Sequence, residues 1–314
     1  MRIKILAAAI KAPKFQPAFL GPKYWPVWLG VSVLYLITWL PLPVIRRIGA
    51  GAGRLIALAV PKRAKVAKRN LALWDPSLSE SEIEALYTEN VRRTGMALFE
   101  TAMGWWWPSW RVKKAIEIEG TEHVEEALAK GKGVFGMALH NMNLEFACRG
   151  IGFFHPSIAF YRKHNSPLID YLQYHGRNRS NKYMIDKRNA KALLAALDEK
   201  ELCLYLPDQD YGPKQSIFVP FGGVKDTATT TATLMFIRRS ECEPMIITSQ
   251  YTPSGYKIKI FPPLTGLGEM SDEKALTLLN QHIDTAVKEQ PESYLWMHKR
   301  FKTRPLNNPK SLYD

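Results

Sequence analysis

Hydrophobic and polar positions divide the chain into three stretches of different period. From Tyr24 to Ile45 no charge interrupts a run that includes Trp25, Trp28, Leu29, Val33, Leu36, Trp39 and Leu40. Roughly 20 residues rising about 1.5 Å each match a hydrocarbon core about 30 Å thick. The run therefore predicts a membrane anchor helix over 24–45, with Trp25, Trp28 and Trp39 as interfacial anchors and Pro41 and Pro43 closing it. A hydrophobic hairpin arm lying in the interface is the alternative, and no small-residue cleavage site marks the run as a removable signal. From Ala64 to Trp110 the period is helical, and Ser79-Glu80-Ser81-Glu82 supplies a cap and first-turn acids for one helix. Trp105, Trp106, Trp107 and Trp110 fit either a core or an interfacial belt.

Beyond Ile116 short apolar runs alternate with helical periods, which predicts an α/β layer architecture. Strands are expected at Val134 to Leu139, Ser157 to Arg162, Lys182 to Asp186 and Leu202 to Leu206, with a terminal hairpin of Met245 to Tyr251 and Tyr256 to Phe261. Helices are expected at Thr121 to Lys130, after Ser166-Pro167, at Ala190 to Leu197 and at Thr227 to Arg239. The organisation read from this is a basic arm (1–23), the anchor helix (24–45), a basic membrane-proximal helical region (46–110) and an α/β domain (111–314).

Charge narrows the partners. Lys and Arg number 43 against 29 acids, a net +14, so an anionic partner is expected: nucleic acid, phospholipid headgroups or an acidic carrier. The uncharged run at 24–45 and the lack of a recognised binding module argue against nucleic acid. After Ile45 come Arg46, Arg47, Arg54, Lys62, Arg63, Lys65, Lys68 and Arg69 with no acid before Asp75, a flank suited to the cytoplasmic side and anionic lipid. Arg2, Lys4, Lys11, Lys14 and Lys23 make the other flank basic as well. Cys148, Cys203 and Cys242 are too few and too scattered for a disulfide framework, and read as reduced, buried apolar residues.

Gly131-Lys132-Gly133-Val134-Phe135-Gly136 has the spacing of a dinucleotide fingerprint, but a helix ends and a strand begins there, the reverse of the order that fingerprint requires. No nucleophile elbow, phosphate loop or helical His pair is present. The chemistry lies in His140-Asn141-Met142-Asn143-Leu144-Glu145, directly after a predicted strand. On a continuous helix Glu145 would lie about 140° around from His140. The two can meet only with His140 on the strand-to-helix turn and Glu145 in the first helical turn, where Asn141 or Asn143 can cap. A carboxylate bonded to one imidazole nitrogen fixes the tautomer and leaves the other as a general base. A structural His bonded to its own helix fits the same spacing.

Longer blocks decide between them. Pro22 to Gly30, Arg63-Ala64-Lys65 with Arg69-Asn70-Leu71, His140 to Glu145, Tyr161-Arg162 and Asn165 to Asp170 are the first of these. Gly176-Arg177, Arg179 to Lys182, Pro207 to Pro213, Phe218 to Phe221, Ala228 to Thr230 and His298 to Pro305 complete the set. Over nearly its whole length the chain resembles the late acyltransferases of lipid A biosynthesis, most closely the lauroyl/palmitoleoyl branch. The resemblance implies an inner-membrane enzyme with its catalytic domain toward the cytoplasm, using no metal or cofactor. It would move a fatty acyl group from acyl carrier protein to a 3-hydroxyacyl hydroxyl of the Kdo-bearing lipid A precursor. It also implies an α/β fold, a mixed sheet wrapped by helices as in the glycerol-phosphate acyltransferase superfamily, with residues 111–314 as the acyltransferase domain.

The same resemblance places the catalytic His and acid on His140 and Glu145, and a basic residue of the second block on Arg162, for oxyanion or substrate phosphate; a surface ion pair is the plainer reading of Arg162. Tyr161 and Arg177 are further substrate or structural candidates. Asp208 and Asp210 are expected to fix a loop through backbone amides or Arg162, a metal role being disfavoured because no further carboxylate lies nearby. Two departures, Asn141 where the family commonly has an aromatic residue and Gln209 where it has His, bear on substrate preference. A glycerophospholipid acyltransferase is the competing reading, but Pro207 to Pro213 lacks the glycine-threonine-arginine run typical of those enzymes.

Overall fold

The computed structural model describes residues 9–314; Arg2 and Lys4 of the basic arm lie outside them. The uncharged N-terminal run is two helices and not one: α1 (Trp25–Thr38) and α2 (Leu42–Ala59), separated by a turn at residues 39–41. Pro41 lacks the amide that would continue α1 and instead sits at the entry to α2. The anchor helix expected over 24–45 is therefore not formed. The 14 residues of α1 reach only about 21 Å, and no helix among the described residues is long and apolar enough to cross a membrane. What the run does form is an outward apolar face: Trp25, Leu29 and Leu36 are each more than 60% exposed, and Leu55 and Leu58 continue it along α2.

Three more helices follow, α3 (Pro61–Trp74), α4 (Glu80–Trp106) and α5 (Ser109–Ala115). The expected cap of α4 is a full capping box: Ser79 Oγ accepts from the Glu82 amide while the Glu82 carboxylate accepts from the Ser79 amide. Helices α2 and α4 touch backbone to backbone. A Cβ on Gly95 would lie 1.9 Å from the Gly49 carbonyl oxygen and 2.2 Å from the Gly53 amide, so only glycine allows the approach. The tryptophans divide: Trp107 is buried, its Nε1 donating to the Thr38 carbonyl, whereas Trp110 is exposed.

The remainder alternates β1 (Ile116–Glu119), α6 (Thr121–Ala129), β2 (Gly133–Ala138), α7 (Leu144–Phe154), β3 (Ser157–Tyr161), α8 (Pro167–Arg177), β4 (Asn181–Asp186), α9 (Ala190–Asp198) and β5 (Leu202–Tyr205). Then come a hairpin of β6 (Ser216–Phe221) and β7 (Val224–Thr230), α10 (Ala232–Arg239), β8 (Cys242–Tyr251), β9 (Tyr256–Ile260) and α11 (Asp272–Lys288). Seven strands form a mixed sheet in the order β1-β9-β8-β2-β5-β3-β4, parallel throughout except for the antiparallel β8–β9 pair. The helix expected over Thr227 to Arg239 begins only at Ala232. Thr227, Ala228, Thr229 and Thr230 pair with β6, where β-branched side chains suit a pleated surface better than a helix.

Apolar clusters cover both faces of the sheet. On one, Val134, Leu202, Leu204 and Ile247 pack with α6 and α7 through Val124, Ala127, Ala147 and Ile151. On the other, Phe135, Ile158, Cys203 and Ile246 pack with Leu193 and Leu197 of α9, Phe236 of α10 and Leu279 of α11. A third cluster joins α2, α4 and α7 through Ile45, Phe99, Met103 and Phe146. Fully buried beside it is Glu100, whose Oε2 accepts from the Tyr251 hydroxyl at 2.9 Å. Burial raises its pKa to about 7, against hydrogen bonds from Tyr256 and Tyr251 and the charges of Arg46 and Arg93.

Two outcomes follow from these packings. A carboxyl whose folded-state pKa is raised binds a proton in the fold that the unfolded chain has released. Its contribution is full below the ordinary value of 4.5 and is lost as pH rises toward about 7. Thermal melts of the wild type should show that decline over this window, and Glu100→Gln should flatten it. Gly95→Ala should lower the denaturation midpoint, with a cost of about 1–3 kcal/mol typical of overpacking, measurable in urea.

Candidate functional site

Strand β2 ends at Ala138 and β5 at Tyr205, and the two are parallel neighbours, with Val134 opposite Leu202 and Met137 opposite Tyr205. Parallel pairing brings the loops after both strands to the same edge of the sheet, the usual place for ligands in such folds. His140 stands in the first loop and Asp208 in the second. Asp208 is fully buried and meets His140 twice: Oδ2 accepts from the His140 amide at 2.8 Å and Oδ1 lies 2.6 Å from Nδ1. Burial opposes ionisation of this carboxyl, but the His140 ring and the hydrogen bonds from His140 outweigh it and hold the pKa below the usual carboxylate value. An ionised carboxylate only accepts, so Nδ1 carries the hydrogen and Nε2 is the nitrogen turned away from it.

The same loop is clamped from the C-terminal side. Leu295 N donates to the His140 carbonyl, Met142 N to the Ser293 carbonyl and the Tyr294 hydroxyl to the Asp208 carbonyl. Asn141 is buried, its amide donating to Thr248 Oγ1 and the Ser249 carbonyl, and Asn143 accepts from the Ser249 hydroxyl. Neither side chain caps α7; both tie the turn to β8 instead.

Glu145 does occupy the first turn of α7, but it does not orient His140. Both its oxygens are taken, by Nε and Nη2 of Arg177 and by the indole of Trp105. The reason is topological. Arg177, at the end of α8, lies where Glu145 faces, while the buried carboxylate after β5 takes His140 Nδ1. Burial works against the charge of Arg177, and Glu145 more than offsets it, raising the guanidinium pKa further. The pair uses Nε and Nη2 and leaves Nη1 for a ligand.

His140, Glu145, Arg162 and Arg177 all line one cavity of about 1160 Å³. Arg162 is exposed, and its carbonyl accepts from the Gln173 side-chain amide. Asp208 and Asp210 make no bond to it. Asp210 instead accepts from the amide and hydroxyl of Thr303 and the amide of Gly212. Tyr161 is buried, donating to the Asp170 carboxylate, with Arg177 over its ring at 5.9 Å. Cys148 also lines the cavity, but burial and the Glu145 charge push its thiol up to about 12, so it stays protonated and is a poor nucleophile.

Arg149 had no signal in the sequence, whereas the basic runs were visible but not their meeting in one recess. Arg149 is 3% exposed, stacked on Phe153 with Nε and Nη1 unpartnered, and lines the same cavity; burial and Arg179 lower its pKa to about 10. A second cavity, about 860 Å³, draws its wall from separate basic segments, Lys62, Lys65 and Arg69 on one side and Lys299 and Lys302 on the other. In the second of those segments Arg300 and Arg304 serve the fold, donating to the Ala228 and Asp226 carbonyls; elsewhere Arg179 donates to the Trp105 carbonyl.

The likeness to known proteins runs over most of the chain. A model of the family described as bacterial lipid A biosynthesis acyltransferase matches residues 12–303. The chain is 40% identical over 299 residues to the lipid A biosynthesis lauroyltransferase of Escherichia coli K12, covering 95% of this chain and 98% of that one. It is 39% identical to the palmitoleoyltransferase of the same organism, covering 96% and 98%. Identity to the myristoyltransferase there is 27%, covering 93% and 91%, which agrees with the expected branch. The chain belongs to the bacterial lipid A biosynthesis acyltransferase family.

Proposed function

We propose that the protein transfers a fatty acyl group, lauroyl or similar, from an acyl-carrier-protein thioester to a 3-hydroxyacyl hydroxyl of the Kdo-bearing lipid A precursor. The observation that carries the reading is His140, held through Nδ1 by a buried carboxylate at the mouth of a large, mainly apolar cavity that also presents Arg177. Nε2 takes the proton of the acceptor hydroxyl as its oxygen attacks the thioester carbonyl carbon. Arg177, kept in place by Glu145, stands where positive charge can offset the developing oxyanion, and Arg162 offers a further cation to substrate phosphate. Collapse of the tetrahedral intermediate breaks the carbon–sulfur bond, and the imidazolium returns its proton to the departing thiolate. Asp208 steadies the imidazolium between the two transfers, the part played by the aspartate in a Ser-His-Asp triad.

The apolar face of α1 and α2, flanked by Arg47 and Arg54, supports seating on an anionic membrane surface without a span, and we place it on the cytoplasm-facing side of the inner membrane.

His140→Ala should reduce turnover by about 10²- to 10⁴-fold in a protein that stays folded. Asp208→Asn should lose a comparable factor, because an amide can hold the wrong tautomer, and Glu145→Gln should lose activity by loosening Arg177. The double variant of His140 and Asp208 should be scarcely worse than His140→Ala, since groups acting as a unit are not additive. A histidine that only supports the fold would give a lowered melting temperature with normal activity per folded molecule, and that result would overturn the mechanism. Thin-layer separation of products from lipid A precursor and from glycerophospholipid acceptors tests the substrate; transfer to the latter alone would sink the assignment.

A further inference from the structure

The cavity at His140 has walls on both faces of the sheet. Ala159 and Phe160 are consecutive in β3, Leu204 and Tyr205 are consecutive in β5, and all four line it. Consecutive strand residues point to opposite faces, and the packing agrees. Ala159, Leu204 and Cys148 belong to the cluster beneath α6 and α7; Phe160, Tyr205 and Met235 belong to the one beneath α9, α10 and α11. The cavity thus wraps around the C-terminal edge of β3 and β5 with one lobe on each face, and His140 follows β2 at that same edge. One acyl chain needs a wall on one face only. Acyl transfer between two lipidic substrates brings two chains to one point.

We propose that the sheet separates the two chains, the donor acyl group lying in the lobe under α7 and the acceptor's hydroxyacyl chain in the lobe under α10, with their reacting ends meeting at His140. This rests on the acyl-transfer reading given above. Charge assigns the lobes. Lys187 and Arg188 rim the α10 side and form no ion pair among the described residues. Tyr211 is part of the wall of both this lobe and the second cavity, where Lys62, Arg69, Lys299 and Lys302 are likewise free of carboxylate partners. Just before Lys62 the chain exposes Leu58 and Val60. An apolar lobe leading to a cationic recess beside an exposed apolar edge matches a lipid with an anionic sugar head. On the α7 side the charges are Arg177, paired with Glu145, and Arg149, buried against Phe153, and the walls between them are apolar: Ala138, Ala159, Cys148 and Leu204.

Filling each lobe separately tests the division. Ala159→Leu narrows the α7 lobe and Ala232→Leu the α10 lobe; Cys148→Leu and Ala190→Leu serve the same ends should either of the first pair fail to fold. Each is assayed with carrier-protein thioesters from octanoyl to palmitoyl, and with the lipid A precursor varied at fixed donor. A misfit methylene in an apolar pocket is worth about tenfold or more. The α7-side variants should therefore lose about tenfold in kcat/KM for the longest donors, shifting preference to shorter chains with the acceptor KM unchanged. The α10-side variants should raise the acceptor KM by a similar factor and keep the wild-type order of donors. The reverse pattern would overturn the assignment of lobes, and variants on both sides changing both profiles, or neither, would overturn the separation itself. A wild-type protein that acylates no lipid A precursor would count against the proposed function and not against the division of the cavity.

Discussion

The pairing of β2 with β5 is the constraint on which the site depends. Two strands 68 residues apart in their critical loops lie side by side, and because they are parallel both loops emerge at one edge. The Asp208 carboxylate can then accept from the backbone and the ring of His140 together. The backbone bond fixes the loop, the ring bond fixes the tautomer, and each makes the other's geometry easier to hold. A fully buried carboxylate without such partners would be expelled or protonated. Here His140 and its own amide supply the compensation, so the acid is ionised although burial acts against it.

Much of this was legible in the chain itself. The α/β alternation, the capping box at Ser79, the hairpin of β8 and β9 and the placing of His140 on a strand-to-helix turn all follow from local pattern, because the interactions responsible span a few residues. Glu145 was legible as a first-turn acid for the same reason. Its partner was not. Whether a carboxylate faces His140 or Arg177 depends on which strands adjoin, and strand order is set by packing over long separations that periodicity does not record. Asp208 could be marked as a loop-fixing acid from its place after a strand, but the residue it fixes lies in another loop. The threonines of β7 mislead in a similar way: in isolation they only weaken a helix, and it is pairing with β6 that makes them a strand.

The N-terminal run shows the opposite failure. Hydropathy counts residues and is blind to where a backbone turns. Twenty-two uncharged positions read as one span, yet Pro41 converts them into a short helix and the beginning of a second. Part of the apolar content faces outward, as at Trp25, Leu29 and Leu36, and part, as at Ile45, turns into the core; one rod has become two shorter helices with an apolar outer surface.

That surface is not free to move independently of the cavity. Gly49 and Gly53 of α2 meet Gly95 of α4 through main-chain atoms, and main chain has no rotamers with which to yield. Two and a half turns further along the same helix, Gly104 and Trp105 form part of the cavity wall. Helix α4 is thus a stiff lever with the outer apolar helices fastened at one point and the reaction chamber at another. In the seating proposed above, the tilt of the outer helices becomes the angle at which a long chain enters, so the three glycines would set an approach direction as well as a contact.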